Sequence, residues 1–464
     1  MSGRLVVVSN RLAAVREGES PVGGLAVAVL AALKDQGGIW FGWSGEMAAR
    51  PSSRATLTPD GELVYATIDL TRRDHGEYYM GFSNSVLWPL FHYRLGLIAF
   101  RHRDFEGYLR VNELFARTLV PLLRADDTIW VHDYHLIPLG QALRRSGVGH
   151  SIGFFLHTPF PAPELIATLP RHGRLLRSML AYDLVGFQTD SDRDAFLRYI
   201  RAEPGADVEA DGTVVTSEGK TRTGTFPIGI ETKEIIAAAQ RRDISPETRR
   251  LKRMLHDRVL IVGVDRLDYS KGLVERFRAF ERLLEIYPKE RNRVTLMQIA
   301  PPSRANIQGY REIRRELEMS ASAINGRFAD FDWVPIRYIN RSSGRNQLLS
   351  FFRASAVGLV TPLRDGMNLV AKEYVAAQNP HDPGALVLSR FAGAAHELKE
   401  ALIVNPFDTD EVAEAIHTAL WMPREERIQR REAMLERLRG HDVHRWRRDF
   451  LAALAATAGT RKEK

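Results

Sequence analysis

Short apolar runs alternate along this chain with stretches whose apolar residues recur at helical spacing. Runs at 5–9, 39–43, 128–132, 152–156 and 184–188 predict one set of strands. Those at 259–264, 294–299, 357–361, 385–388 and 401–404 predict a second. Between strands the pattern turns helical. Leu273, Phe277, Phe280, Leu284 and Tyr287 follow one another at steps of four, three, four and three, one face of a helix that Pro288 stops. Strand and helix alternating in this way predict βα units and parallel sheets.

From about 202 to 225 large apolar residues are scarce and Gly, Asp, Glu and Thr are common, so this stretch is read as separating two halves. The expected fold is therefore α/β, with two doubly wound domains, 1–228 and 229–442. A ligand would lie in a cleft at the carboxyl ends of both sets of strands. The last segment, 443–464, carries Trp446 and Phe450 and is expected to cross back and complete the first domain. No internal repeat or low-complexity segment is visible.

Composition removes several classes of function. With 464 residues, 44% hydrophobic, the chain can build full cores. No apolar run approaches the roughly 20 residues of a membrane helix, and the N-terminal run is too short for a signal peptide. The absence of cysteine removes disulfides, thiolate catalysis and zinc–thiolate sites. A soluble, cytoplasmic protein is expected. Lys and Arg outnumber Asp and Glu by 65 to 57, a net charge of +8, but the bases are interleaved with acids, as in YREIRRELE at 310–318. Solvated helix faces explain them better than nucleic acid or membrane binding, and no nucleic-acid motif is present.

The candidate chemistry lies after two predicted strands of the second half. In VGLVTPLRDGMNLVAKEYVAAQ (357–378) a strand is followed by a turn at Gly366 and a helix starting near Asn368. That arrangement leaves the Met367, Asn368 and Leu369 amides at a helix N-terminus, where they suit a phosphate. Glu373, one turn in, suits the hydroxyls of a ribose. By itself the stretch fits an ordinary βα loop equally well. VGVDRLDYSKG (262–272) tips the balance by placing Arg266 and Lys271 after a neighbouring strand. Two cations near a phosphate cradle suit a diphosphate leaving group without a metal.

These residues, with GGLA at 23–26, VVVSNR at 6–11, WFGWSGE at 40–46, WVHDYHL, GFFLHTPFP, QIAPPSR and LSRFAGAA, resemble the trehalose-6-phosphate synthase family of retaining glycosyltransferases. The likeness runs from residue 6 to about 454. It implies a GT-B fold of two Rossmann-like domains, an acceptor domain first and a nucleotide-sugar domain second. It also implies transfer of glucose from UDP-glucose to glucose 6-phosphate, with no metal or other cofactor, in a homo-oligomer (dimer or tetramer). Carried over residue by residue, acceptor binding falls on Arg11, Tyr79, Trp88, Asp133 and Arg304. Donor binding falls on Gly24, His157, Arg266, Lys271, Asp365, Met367, Asn368, Leu369 and Glu373. The catalytic set would be Asp133, His157, Arg266, Lys271 and Asp365. The resemblance further implies a reaction without an enzyme nucleophile, the donor's own phosphate oxygen taking the acceptor's proton. A glucosylglycerol-phosphate synthase and a catalytically silent sugar-phosphate sensor are the alternatives. This chain departs from the family's pattern in HTPFP and in VDRLD, and least follows it over 13–22.

Other signals are set aside. EADGTVV (209–215) has Glu209 where a dehalogenase-type phosphatase has its nucleophilic aspartate, so a hairpin turn and no phosphatase activity are expected. Asp190 with Asp192, and Asp408 with Asp410, precede helices and read as caps. Asp330 with Asp332 reads as structural, and His132 with His135 as backbone-satisfied rather than a metal pair. Phe91 and Tyr93 read as core.

Overall fold

In a computed structural model that describes residues 3–12, 30, 33, 37–242, 245–304 and 307–457, the chain divides into two units. One comprises Met1–Ile228 with Val443–Lys464, the other Gly229–Asp442.

The first unit is built on β1 (Leu5–Arg11), β2 (Gly38–Ala48), β3 (Thr56–Asp60), β4 (Leu63–Thr71), β5 (Thr128–His132), β6 (Ile152–Phe155) and β7 (Leu184–Phe187), followed by β8 (Ala206–Val208), β9 (Val214–Thr216) and β10 (Gly219–Thr225). They form one ten-stranded sheet in the order β3-β4-β2-β1-β5-β6-β7-β10-β9-β8. Pairing from β4 through β10 is parallel, with antiparallel hairpins at both edges. Leu5 to Val8 are all buried, as expected of a central parallel strand covered on both faces.

The five strands expected here are present, and the stretch read as a separator is corrected. Residues 206–225 are part of the sheet, with Arg222 to Thr225 paired in parallel to Leu184 to Phe187. A sheet edge needs backbone pairing more than large apolar side chains, so its composition resembles that of a linker. The expected turn at Asp211-Gly212 is there: Gly212 has φ 86° and the Glu209 amide donates to the Thr213 carbonyl at 2.8 Å. The β3–β4 hairpin was not expected; every residue of β3 is exposed, leaving it no hydrophobic signal, although β4 alternates, burying Leu63, Tyr65, Ile68 and Leu70.

The helix Val443–Ala455 belongs to this unit, with Phe450 stacked on Trp130 at 4.7 Å and Trp446 beside both Trp130 and Phe155. Gly153 and Gly186 make the room, since a Cβ on either would come within 2.8 Å of the Phe450 ring. Two further expectations are corrected. Tyr93 is not core but 41% exposed, while Phe91 is buried. The helix Asp190–Ala202 is capped by Thr189, whose side chain accepts from the Asp192 amide; Asp190 and Asp192 occupy its first turn. Asp408 does cap its helix, accepting from the Asp410 and Glu411 amides.

The second unit holds β11 (Val259–Val264), β12 (Val294–Ile299), β13 (Ile336–Ile339), β14 (Val357–Val360), β15 (Ala385–Ser389) and β16 (Leu402–Val404), all parallel, in the order β13-β12-β11-β14-β15-β16. The chain winds outward from β11 to β13, then returns to β14 on the other side. The strand order therefore reverses between β11 and β14, and a doubly wound sheet opens a ligand crevice at that reversal. The first unit reverses likewise between β1 and β5. The helix Leu273–Ile286 buries Leu273, Phe277, Phe280 and Leu284 as its period predicted.

Candidate active site

In the first unit the expected acceptor residues gather at the carboxyl ends of β1 and β5. Arg11 closes β1, and its guanidinium lies across Gly45, where a Cβ would meet Nη2 at 2.5 Å. The Trp43 ring lies 5.5 Å away. Tyr79 sits in a π-helical stretch, His75–Leu87, a rare form that is frequent at functional sites. It stacks on His135 at 5.8 Å and on His75 at 5.4 Å. Its neighbour Tyr78 turns inward and donates to Asn10 Oδ1. Burial, and then the Arg11 charge, hold His75 below the ordinary histidine range. Trp88 is 6% exposed, its ring against His92 and Tyr134.

Asp133 follows β5 with φ 75° and ψ 166°, a region that costs a non-glycine residue about 1–3 kcal/mol. In this conformation its carboxylate meets the next strand's loop, where Oδ1 accepts from the His157 amide at 3.2 Å. The His157 ring meets a second imidazole, Nε2 lying 3.1 Å from Nδ1 of buried His132. Part of His157 is reachable by solvent, yet burial of the ring pushes it down to about 3, so it is neutral.

In the second unit the loops after β11 and β14 meet at the point where strand order reverses. Lys271 Nζ lies 2.5 Å from Asp365 Oδ2, to which Asn368 Nδ2 also donates, at 3.0 Å. Arg266 is exposed. Asn368, not Gly366, takes the left-handed turn (φ 79°) and caps the helix Leu369–Ala377 by accepting from the Ala371 amide. Among the described residues the Met367, Asn368 and Leu369 amides make no hydrogen bond. Glu373 is partly exposed, but burial pushes its carboxyl up to about 7, with Arg345 opposing and Glu231 adding to the rise.

Arg304, expected with the acceptor, lies in this second unit. Its Nη1 donates to the Tyr310 hydroxyl at 2.6 Å, and that hydroxyl donates to Asp268 Oδ2 at 2.8 Å. The loop is staked from below by Arg276, wholly buried, which donates to Asp265, Gln298 and Thr361 at 2.6, 2.8 and 3.0 Å and to the Lys271 carbonyl at 3.4 Å. Gly24 lies outside the described residues, as does the whole of the 13–22 stretch. Sequence reasoning missed Arg276, the Asp268–Tyr310 link, and His75, His132 and His135 as packing partners. Arg276 was legible only as a charge on the buried side of a helix. Among the described residues no group of three His, Cys, Asp or Glu could hold a metal ion, and no helix is long and apolar enough to cross a membrane.

Residues 4–456 match the model of glycosyltransferase family 20. Over 456 residues the chain is 50% identical to the trehalose-6-phosphate synthase of Enterobacter sp. (strain 638), covering 98% of this chain and 96% of that one. A crystal structure of an α,α-trehalose-phosphate synthase (UDP-forming) from Burkholderia vietnamiensis is 51% identical, with a TM-score of 0.96 and 98% of both chains covered. One from Burkholderia xenovorans, in complex with glucose-6-phosphate, is 52% identical with a TM-score of 0.94, over 98% of this chain and 100% of that one. The α/β architecture is thus that of the GT-B class. Matched over residues 4–456 by the family model and over 98% of its length by a relative of half-identical sequence, the chain belongs to glycosyltransferase family 20, alongside the trehalose-6-phosphate synthases.

Proposed function

We propose that this protein is a retaining glucosyltransferase that transfers glucose from UDP-glucose to glucose 6-phosphate, giving α,α-trehalose 6-phosphate and UDP. The observation that carries the reading is the anion cradle of the second unit. Three amides at a helix N-terminus, without a hydrogen bond among the described residues, and the buried Lys271 meet where the strand order reverses, in a chain half-identical to UDP-forming synthases.

In this reading the second unit is the donor domain. Lys271 and Arg266 neutralise the diphosphate, the amides of Met367, Asn368 and Leu369 donate to it, and Glu373 accepts from the ribose hydroxyls. Asp365 holds hydroxyls of the donor glucose, His157 contacts its 6-hydroxyl, and Gly24 completes the donor set. Arg11, Tyr79, Trp88 and Asp133 of the first unit hold glucose 6-phosphate, with Arg304 contributing a second guanidinium. No enzyme nucleophile is needed. The acceptor oxygen bonds to C1 as the bond from C1 to the phosphate oxygen breaks, and the acceptor's proton passes to that phosphate. Charge grows on the diphosphate, and fixed cations and amides stabilise it there. With cations doing this work, no metal is required. A cytoplasmic setting and a homo-oligomeric assembly belong to the same reading, on the strength of the family alone.

The test is nucleoside diphosphate release in a matrix of donors and acceptors with EDTA present. Release that needs both UDP-glucose and glucose 6-phosphate, with a non-reducing disaccharide phosphate formed, supports the reading. Equal or better turnover with glycerol 3-phosphate moves the function to a sister synthase, and UDP binding without turnover makes the protein a sensor. Loss in EDTA with rescue by manganese overturns metal independence.

A further inference from the structure

His132 is not in the set of residues that touch either substrate in the reading above, yet it is wholly buried at the end of β5 and bonded to one that is. Its Nδ1 and the Nε2 of His157 lie 3.1 Å apart, so one nitrogen must bring a hydrogen and the other a lone pair. Both rings are neutral. Burial pushes His157 down to about 3, and burial with His157 alongside holds His132 well below the ordinary range. Each ring therefore carries one hydrogen, and two arrangements exist.

In the first, His132 Nδ1–H donates to a bare His157 Nε2. His132 Nε2 is then a lone pair, and the His157 hydrogen sits on Nδ1. In the second, His157 Nε2–H donates to a bare His132 Nδ1, and the His132 hydrogen sits on Nε2. The buried His132 Nε2 has no hydrogen-bond partner among the described residues. The second arrangement thus buries an unpaired N–H, the rarer and costlier kind of orphan. The surroundings weigh the same way. Trp130 and Trp446 flank the His132 ring at 4.5 and 6.3 Å, and their indole nitrogens, donors only, are likewise buried without partners. A bare Nε2 brings an acceptor into that cluster; a protonated one brings a third donor.

We infer that His132 is a positioning residue that locks His157 in its Nδ1–H tautomer, so that His157 offers the donor sugar a hydrogen-bond donor and no lone pair. The inference rests on the assignment of His157 to the donor's 6-hydroxyl. It goes beyond that assignment by fixing the sense of the bond: the sugar oxygen accepts. It also removes His157 as a base, since Nε2 is occupied by His132 and Nδ1 already holds its hydrogen. The acceptor's proton must then leave by the phosphate.

The experiment is a long-range proton–nitrogen spectrum of the full chain labelled with ¹⁵N-histidine, at pH 7 and without substrate, the His157 signals assigned by their loss in His157→Gln. A protonated Nδ1 and a bare Nε2 are expected. His132→Asn keeps a donor at the Nδ1 position, and should keep both that pattern and kcat/KM for UDP-glucose. His132→Phe should release the tautomer, with kcat/KM falling about tenfold, the size of one net hydrogen bond. A protonated Nε2 on His157 in the unaltered chain overturns the inference, whether or not the phenylalanine variant folds. So does a His132→Phe spectrum unchanged at His157. Because the spectrum needs no substrate, the expected tautomer in a protein that transfers nothing to glucose 6-phosphate would count against the proposed activity and leave this inference standing.

Discussion

Glu373 shows how burial decides what one residue can do. Its carboxyl titrates near 7 in the folded chain against 4.5 ordinarily, chiefly because burial penalises the charge. Between those values the folded state binds more protons than the unfolded one, so this group lowers stability as pH rises from about 4.5 to 7. The cost is absent below that window and at most about 3 kcal/mol above it. Glu373→Gln should therefore be more stable than the parent at pH 8 and indistinguishable at pH 4, measured by urea unfolding. If the ribose contact requires the carboxylate, UDP should bind more tightly as pH rises through 7, and with no such slope in Glu373→Gln; calorimetry at pH 6 and pH 8 reads this. Lys271 is the other residue with a clear expectation. Lys271→Ala should lower kcat by about 10²–10³, the loss expected on removing one preorganised stabiliser of developing charge, with a smaller change in UDP affinity. An unchanged kcat would remove it from the chemistry. Both residues were legible in the sequence, because a helix N-terminus and a pair of cations after neighbouring strands have chemical meaning before any fold is known. Their environment was not. Nothing in RDGMNLVAKEY says that Lys271 pairs with Asp365, or that Asn368 rather than Gly366 makes the turn.

At the scale of elements, the proposed anion loop is held by a residue with no visible motif. Arg276 ties together the ends of β11, β12 and β14 through Asp265, Gln298 and Thr361. Removing it leaves the Asp265 carboxylate buried without its cation, and burial already raises that group. Arg276→Met should cost about 3–5 kcal/mol in urea unfolding, as breaking a buried pair does. A change under about 1 kcal/mol would mean that Asp265 finds water or a new partner. Strands with buried faces were readable because their apolar runs are continuous. The 206–225 strands and β3 were not, since strands at a sheet edge are held by backbone pairing that any polar sequence can supply, whereas β4 did carry the alternation of a half-buried strand. The π-helical stretch His75–Leu87 escaped for another reason: its winding has no distinctive period over so few turns, and only packing reveals that Tyr78 turns in while Tyr79 stacks between two imidazoles.

At the scale of the molecule, the last helix is an integral part of the first unit, far as it lies along the chain. Phe450 fills the space left by Gly153 and Gly186 and stacks on Trp130. Phe450→Ala should cost about 3–5 kcal/mol, read by the near-ultraviolet signal of Trp130 and Trp446 as urea rises. A loss confined to fraying of the final residues would show that the first unit does not depend on that helix. Burial of those rings also encloses the two imidazoles at the ends of β5 and β6, since Trp446 lies 6.3 Å from His132 and 6.0 Å from His157. A residue near the chain's end thereby helps to keep a site near its beginning neutral.

Continuous apolar runs and helical periods, which report burial directly, were enough to establish the two sets of parallel strands and the helices between them. The motifs after β11 and β14 pointed to the proposed anion site for the same kind of reason, because backbone amides and cations do their work locally. Strand order was decided only by the tertiary structure, and with it the reversal points at which both groups of residues gather. So were the partners of buried groups: Arg276 for Asp265, Asp365 for Lys271, His132 for His157. Which charge is paired, and which ring nitrogen holds a hydrogen, depends on atoms that approach from distant parts of the chain, and no local pattern encodes that approach.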